Sequence, residues 1–438
     1  MLDIRRLRLE PEAVRDALVK RDPELVPIIE HVLSLDKERR EGLMVVNELK
    51  AERNTASKQV GELKRKGEDA GELVAAMRVT GDKISKIDDK IRTIDQELQE
   101  LLLTIPNTPL DEVPEGGEEE NRTEKIWGDP TTFDFEPLPH WDLGTGLDIL
   151  DLTRGSKISG SGFSVLKGMG ARLQRGLINY FLDVHTREHG YTEVRVPYLV
   201  TREAMVGTGQ LPKFEEESYV TTRDDLWLIP TAEVPITNLH RDELLNGMDL
   251  PVRYAGYSPC FRREAGAAGK DTRGLLRMHQ FDKVELVRYE HPERSREALE
   301  ELTREAEVLL ERLGLHYRRI LISTGDLGFS GAMTYDLEAW APAVGQWLEV
   351  SSCTTFTDYQ ARRANLRFRP SQSEKPVFVH TLNASGLALP RVMAALLESY
   401  QKRDGSVHLP DVLHPYVGCE RLSPESVSYT HLTLPTKA

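Results

Sequence analysis

Residues Tyr257–Leu286 read YSPCFRREAGAAGKDTRGLLRMHQFDKVEL. The stretch predicts two short strands around a Gly- and charge-rich loop, with polar groups where a hairpin ordinarily buries apolar ones. Residues two apart on an extended strand share a face. Arg262 and Glu264 are therefore expected to point one way, as are His279, Phe281, Lys283 and Glu285. One face would carry a guanidinium, two carboxylates and an aromatic ring. Arginine suits bidentate capture of phosphate or carboxylate, an aromatic ring can stack on a base, and a carboxylate accepts from an amine or hydroxyl. The set suits a nucleotide together with a small zwitterion. A solvated hairpin with charged rungs is the plainer reading of the same residues.

The rest of the chain narrows the choice. Its 438 residues predict two or more domains, and 39% hydrophobic with 29% charged residues is the mix of a globular protein. No apolar run approaches the roughly 20 residues that span a bilayer, and the N-terminus MLDIRRLRLEPEAV has no apolar signal core. Cys260, Cys353 and Cys419 are odd in number and widely spaced. They match neither a disulfide framework nor a zinc pattern, so a reducing cytoplasm is expected and zinc is not. A net charge of -14 argues against indiscriminate nucleic-acid binding, though not against a local basic site.

Residues 3–31 read as a small helical segment. From Leu35 to Leu101 the pattern becomes that of a coiled coil. Leu73, Met77, Thr80, Ile84, Ile87, Ile91, Ile94, Leu98 and Leu101 alternate three- and four-residue steps. Leu35, Gly42, Leu49, Ala56 and Leu63 recur every seventh residue, with Val46 and Val60 between, and Lys66–Gly71 breaks the two arms. The pattern predicts an antiparallel helical hairpin projecting from a body. Between Asp36 and Lys66 nine Lys/Arg face six Asp/Glu, a net +3 in an acidic chain. That is either an ordinary coiled-coil surface or an arm that touches a phosphate backbone.

Residues 106–139, rich in proline and carrying GGEEEN at Gly116–Asn121, read as a linker, and 140–426 as a mixed body. A helix is expected over 163–189, then a strand over 191–200 interrupted at Pro197, together a plausible dimer surface. A helix over 293–313, strands near 316–322, 333–340 and 345–352, and a helix over 389–401 complete the pattern. Strands in runs rather than alternating with helices argue for an α+β fold with an antiparallel sheet.

Three further segments carry chemistry. In LIPTAEVPITN, Thr231 and Glu233 share an extended face before a helix whose first turn holds Pro235; a capped helix start is the alternative. In GQWLEVSSC, Glu349 beside hydroxyls suits a hard cation such as Mg²⁺, or is an ordinary strand rung. In HTLNASGLALPRVMAALLESY, polar Asn383 and Ser385 precede a helix opening with Pro390 and Arg391. An arginine there opposes the macrodipole and calls for a phosphate. Phosphate-loop and dinucleotide glycine motifs are absent, as is a defensible Ser/His/Asp triad.

Together PTAE, FRREAG with DTRGLLRMHQFDKVE, LEVSSC and NASGLALPR, on a chain with an N-terminal helical hairpin, resemble the class II aminoacyl-tRNA synthetases, specifically the seryl-tRNA synthetases of bacterial type. The resemblance runs from Met1 to about Ser426. It implies a fold of two parts: an antiparallel coiled-coil hairpin, about 35–101 within a tRNA-binding domain at 1–105, and an antiparallel sheet flanked by helices. It implies a homodimer built through the Pro197 strand and its preceding helix. It also implies ATP, L-serine and tRNA(Ser) as partners, tRNA(Sec) where one exists, Mg²⁺ held with ATP, and a cytoplasmic location.

By the same resemblance Thr231, Ala232, Glu233, Glu285 and Ser385 bind serine. Arg262, Arg263, Glu264, Phe281, Glu349, Val350, Ser351, Ser352 and Arg391 bind ATP, with Phe281 under the adenine, Arg262 on the α-phosphate and Arg391 on the γ-phosphate. Glu349 and Ser352 would reach the metal. Strict alternation would instead aim Ser351 alongside Glu349, so the strand must end or bulge there. Pro390 stands where glycine is frequent in the family. The loop Ala265–Leu275 is expected as a mobile element meeting the tRNA acceptor end, and the tail from Val427, VSYTHLTLPTKA, as non-native. Two rival readings are a relative that loads amino acids onto a carrier protein, which the hairpin opposes, and a non-catalytic RNA-binding paralogue, which the intact motifs oppose.

Overall fold

The structure is a computed structural model describing residues 1–264 and 273–423. It divides into two compact units, Met1–Thr108 and the remainder from Pro109. The tail from Val427 and most of the 265–275 loop lie outside the described residues.

The first unit holds helices α1 (Ile4–Leu9), α2 (Pro11–Val19), α3 (Leu25–Lys66) and α4 (Gly71–Thr104). Helices α3 and α4 form the antiparallel hairpin. Val46, Ile84 and Ile91 are buried in its seam, with Leu43, Leu49 and Ile87 packed against them. Gly42 occupies a seam position because a Cβ there would sit 3.2 Å from Ile91. Gly67, at φ 75°, ends α3 in the left-handed conformation that glycine adopts without strain. Lys50–Asp88 at 3.4 Å, Arg39–Asp95 and Glu38–Lys90 cross between the helices, whose antiparallel sense the short connection at 67–70 imposes. The seam departs from the expected register at its base, where Leu102 is buried and Leu101 only half-buried. A four-residue step from Leu98 keeps that face turned inward.

The second unit is built on an eight-stranded sheet. Helices α5 (His140–Gly146), α6 (Leu152–Ser159), α7 (Met169–Arg187), α8 (Arg202–Thr208), α9 (Glu233–Thr237), α10 (Ser295–Arg312), α11 (Tyr359–Arg363) and α12 (Leu389–Tyr400) surround it. In chain order the strands are β1 (Arg122–Trp127), a small pair β2 (Leu150–Asp151) and β3 (Val165–Leu166), β4 (Thr192–Glu193), a second pair β5 (Leu199–Val200) and β6 (Trp227–Leu228), and β7 (Leu244–Asn246). There follow β8 (Val252–Phe261), β9 (Gln280–Glu290), β10 (Tyr317–Leu321), β11 (Met333–Ala341), β12 (Gln346–Thr357), β13 (Arg367–Arg369), β14 (Val377–Phe378) and β15 (His380–Ala388). The large sheet runs β1-β10-β11-β12-β15-β9-β8-β4, antiparallel throughout except for the edge pair β4–β8.

Three sequence expectations are corrected. The segment 106–139 is not connection alone, because β1 pairs with β10 at the sheet edge. Its Arg122-Thr123-Glu124-Lys125 run is too polar to read as a strand, which an exposed edge permits. The helix expected from Phe163 begins at Met169, after β3. The strand at 191–200 is two pieces: Pro197 separates β4, in the large sheet, from β5, which forms a two-stranded sheet with β6.

One face of the large sheet is packed by Leu173, Leu177 and Phe181 of α7, Leu299, Leu302 and Leu309 of α10, and Val392, Met393 and Leu396 of α12. Strand residues Val284, Leu286, Val350, Leu382 and Ala384 meet them. Alternation sends Lys283, Glu285, Asn383 and Ser385 to the opposite face, and an irregularity in β12 brings Ser352 there too. Among the described residues no helix is long and apolar enough to cross a membrane. The three cysteines are free.

Candidate active site

The polar face of the sheet floors a cavity of about 750 Å³ whose walls include Thr231, Glu233, Arg262, Lys283, Asp336, Glu349, Ser352, Asn383 and Ser385. A smaller cavity of about 90 Å³ is lined by Arg262, Glu264, Arg277, Phe281, Lys283, Glu349, Val350, Ser385, Pro390 and Arg391. The two share Arg262, Arg277, Lys283, Glu349 and Ser385.

At one end two buried carboxylates stand together. Thr231 Oγ1 donates to Glu285 Oε2 at 3.0 Å and accepts the Glu233 backbone N–H at 3.2 Å. Thr231 thus steadies the helix start and contacts Glu285 at once, so the two readings of its segment coexist. Asn383 Nδ2 bridges Glu233 Oε2 at 2.9 Å and Glu285 Oε1 at 3.2 Å. Lys283 Nζ lies 2.5 Å from Glu285 Oε2. Gln360 Nε2 donates to Glu233 Oε1 at 2.6 Å. Burial, reinforced by the nearby Glu285, pushes the Glu233 carboxyl up from 4.5 to about 7. Glu285 has a lysine to offset its charge, whereas Glu233 has neutral amides.

The other end is cationic and aromatic. The Arg262 guanidinium lies 5.1 Å from the centre of the Phe281 ring, and the Arg262 backbone N–H donates to His279 O at 2.9 Å. Strand β8 ends at Phe261, and Glu264 turns away at φ 50° to meet Arg277 at 2.9 Å. Arg262 and Glu264 therefore line one cavity without the simple alternation first expected. Arg391 donates to Leu276 O at 3.1 Å and Glu349 O at 2.9 Å, with the Glu349 carboxylate 3.5 Å away.

Strand β12 bulges where the resemblance implied that it must end or bulge. Leu337 pairs with Ser351 but Glu338 with Glu349, leaving Val350 as the extra residue. The bulge brings Glu349 and Ser352 to the same cavity. Ser351 turns the other way, buried, and donates to Ser385 O at 2.7 Å. Opposite Ser352 stands Asp336, whose Oδ1 is buried without a hydrogen-bond partner among the described residues. Burial, with Glu349 close by, raises the Asp336 carboxyl well above its ordinary range. Strand β15 carries a second irregularity after Ser385, which pairs with Glu285, before delivering the chain to α12 and Arg391.

Of the residues singled out from sequence, Thr231, Glu233, Arg262, Glu264, Phe281, Glu349, Val350, Ser352, Ser385 and Arg391 line one or both cavities. Glu285 lies beneath them, fully buried. Ala232 packs in a hydrophobic cluster with Ile236 and Val287. Arg263 points outward and donates to Glu216 O at 2.7 Å. Asp336, Gln360 and Arg277 carry no role that the sequence alone assigns. Asp336 had a faint signal, an acid alternating with Leu337 on a strand; Gln360 had none, because only the packing of α11 brings it to Glu233.

This fold and site are those of a class II aminoacyl-tRNA synthetase core, and residues 213–400 match the family model for the tRNA synthetase class II core domain (G, H, P, S and T). Residues 1–109 match the seryl-tRNA synthetase N-terminal domain. The chain belongs to the seryl-tRNA synthetase family. It is 54% identical over 419 residues to a serine–tRNA ligase of Geobacillus kaustophilus, covering 95% of this chain and 99% of that one. It is 53% identical over 420 residues to that of Gemmatimonas aurantiaca, with the same coverage. The crystal structure of seryl-tRNA synthetase from Pyrococcus horikoshii complexed with ATP superposes with a TM-score of 0.93 at 39% identity, covering 97% of this chain and all of that one.

Proposed function

We infer that this chain is an ATP-dependent serine–tRNA ligase: it activates L-serine as seryl-adenylate and transfers it to tRNA(Ser). The observation that carries the reading is the pair of buried carboxylates, Glu233 and Glu285, held by Thr231, Asn383, Lys283 and Gln360 beside a basic and aromatic compartment. A small zwitterion with a side-chain hydroxyl fits the first, and a nucleotide triphosphate the second. Glu233 is assigned the substrate ammonium, since its own partners leave its charge uncompensated. Glu285, with Thr231 and Ser385, is assigned the hydroxyl.

In the first step a serine carboxylate oxygen bonds to the α-phosphorus and the bond from that phosphorus to pyrophosphate breaks. In the second a terminal ribose hydroxyl of the tRNA attacks the carbonyl carbon, the bond to AMP breaks and the hydroxyl proton is lost. Both steps need positioning and charge neutralisation more than a nucleophilic side chain. Arg262 is assigned to the α-phosphate, Phe281 to the adenine and Arg391 to the γ-phosphate. Among the described residues no three His, Cys, Asp or Glu side chains gather as a metal site. Glu349, Ser352 and the unpartnered Asp336 oxygen nonetheless form an oxygen donor set that fits Mg²⁺, which keeps waters and substrate phosphates as its other ligands. Bound with ATP, the ion would neutralise phosphate charge.

The hairpin is assigned to tRNA. Arg53, Lys58, Lys64 and Lys66 make no ion pair among the described residues, so the outer part of α3 is left cationic. A rigid basic rod suits RNA read by backbone and shape. By family likeness we further propose serylation of tRNA(Sec) where one exists, a cytoplasmic location, and a homodimer through the groove between α7 and residues 193–198. The domain division 1–105, 106–139 and 140–426 belongs to the same proposal. Charging a serine tRNA transcript with labelled serine tests the reading. Serine is expected to become acid-precipitable only with ATP and that tRNA; adenylate formation without charging would favour a carrier-protein ligase, and neither activity a non-catalytic paralogue.

A further inference from the structure

Gln360 sits in α11, fully buried, and lines neither cavity. Every polar atom of its amide is used. Nε2 donates to Glu233 Oε1 at 2.6 Å and to Thr208 O at 3.2 Å, while Oε1 accepts from Thr381 Oγ1 at 2.8 Å. This fixes the amide's sense. Turned over, its oxygen would face the Thr208 carbonyl and the Glu233 carboxylate, two acceptor-to-acceptor contacts in a buried place. With Asn383, on the cavity wall, holding Glu233 Oε2, both oxygens of that carboxylate are gripped, the Oε1 side from outside the cavity. What remains of its accepting capacity faces inward, where Glu233 lines the cavity wall.

The chemistry of the grip matters as much as its geometry. A lysine or arginine could also hold Glu233, but it would neutralise the charge on which an incoming ammonium depends. A neutral amide donor orients the carboxylate and leaves that charge available. Glu285 shows the contrast, since Lys283 already lies against it.

We propose that Gln360 is a positioning residue for amino-acid recognition: it holds Glu233, without neutralising it, in the orientation that receives the substrate's α-ammonium group. The proposal rests on Glu233 being the ammonium acceptor. It deepens that reading by assigning serine affinity in part to a residue that never touches serine. The charged groups facing Glu233 are Glu285, which raises its proton affinity, and Lys283 and Arg262, which lower it; the Gln360 hydrogen bond also lowers it.

The test is steady-state ATP–pyrophosphate exchange on the full chain with Gln360→Met, which keeps length and volume but donates nothing. A lost hydrogen bond to a charged group corresponds to roughly a ten- to hundredfold loss, so KM for serine is expected to rise by that factor while KM for ATP stays within about twofold. The acid limb of kcat/KM for serine is expected to move to higher pH, a shift that a merely structural role would not produce. Thr381→Val, which keeps Gln360 but frees its carbonyl, is expected to move both quantities the same way by less, and it decides the matter if Gln360→Met does not fold. An unchanged serine KM and pH limb in a folded variant would overturn the proposal, as would KM values for serine and ATP rising together. Glu233→Gln separates the two layers: if it leaves the serine KM unaltered, the ammonium assignment fails; if it cripples serine binding while Gln360→Met does not, only the role of Gln360 fails.

Discussion

At the scale of single residues, the site turns on two carboxylates with different company. Glu285 is met by Lys283 and Glu233 by two amides, and burial with the neighbouring negative charge lifts the Glu233 carboxyl to about 7. If Glu233 receives the substrate ammonium as proposed, it has to be ionised, so kcat/KM for serine is expected to fall as pH drops below about 7. A pH–rate profile of exchange checks this; a flat profile from pH 6 to 8 would contradict it. Stability runs the other way. With a folded-state value above the ordinary 4.5, the folded protein holds a proton that the unfolded chain releases. This group's contribution is thus fully present below about 4.5 and lost as pH rises through about 7. Much of this was legible in sequence, in PTAE, the Glu285 strand and Asn383. Gln360 was not, because its meeting with Glu233 exists only once α9, α11 and β15 are packed together.

At the scale of elements, the strand bearing LEVSSC shows what a local rule can and cannot give. Alternation placed Ser351 beside Glu349, and the requirement that Ser352 share its side implied an irregularity. The bulge at Val350 supplies it, turning Ser351 into a prop for Ser385. Ser352→Ala is therefore expected to raise the Mg²⁺ concentration for half-maximal exchange severalfold while leaving the serine KM unchanged. Titration of Mg²⁺ at saturating serine reads this out, and an unaltered requirement would remove Ser352 from the metal's surroundings. The edge strand β1 was not legible for a different reason. A solvent-facing strand needs no apolar alternation, so Arg122–Lys125 resembled its acidic, proline-rich surroundings. In the hairpin, periodicity gave the arms and the turn, but not that the first arm is one helix with residues 25–34, nor the step that buries Leu102 in place of Leu101.

At the scale of the whole molecule, the chain separates into Met1–Thr108 and a body from Pro109, and every cavity-lining residue of the site belongs to the body. Replacing 35–101 by a short flexible linker is expected to spare serine-dependent exchange and abolish tRNA charging, measured side by side on one preparation. Loss of both would show that the arm is not a separable reader of tRNA. The central claim, that the buried carboxylate pair selects serine for adenylation, is tested most directly by ATP–pyrophosphate exchange with serine, threonine, alanine and glycine in parallel. Alanine and glycine would leave the hydroxyl's partners unpaired, and threonine carries one methyl too many, worth about 1–3 kcal/mol. The account predicts strong exchange with serine, weak exchange with threonine and background with the other two; exchange with threonine or glycine and none at saturating serine would contradict it.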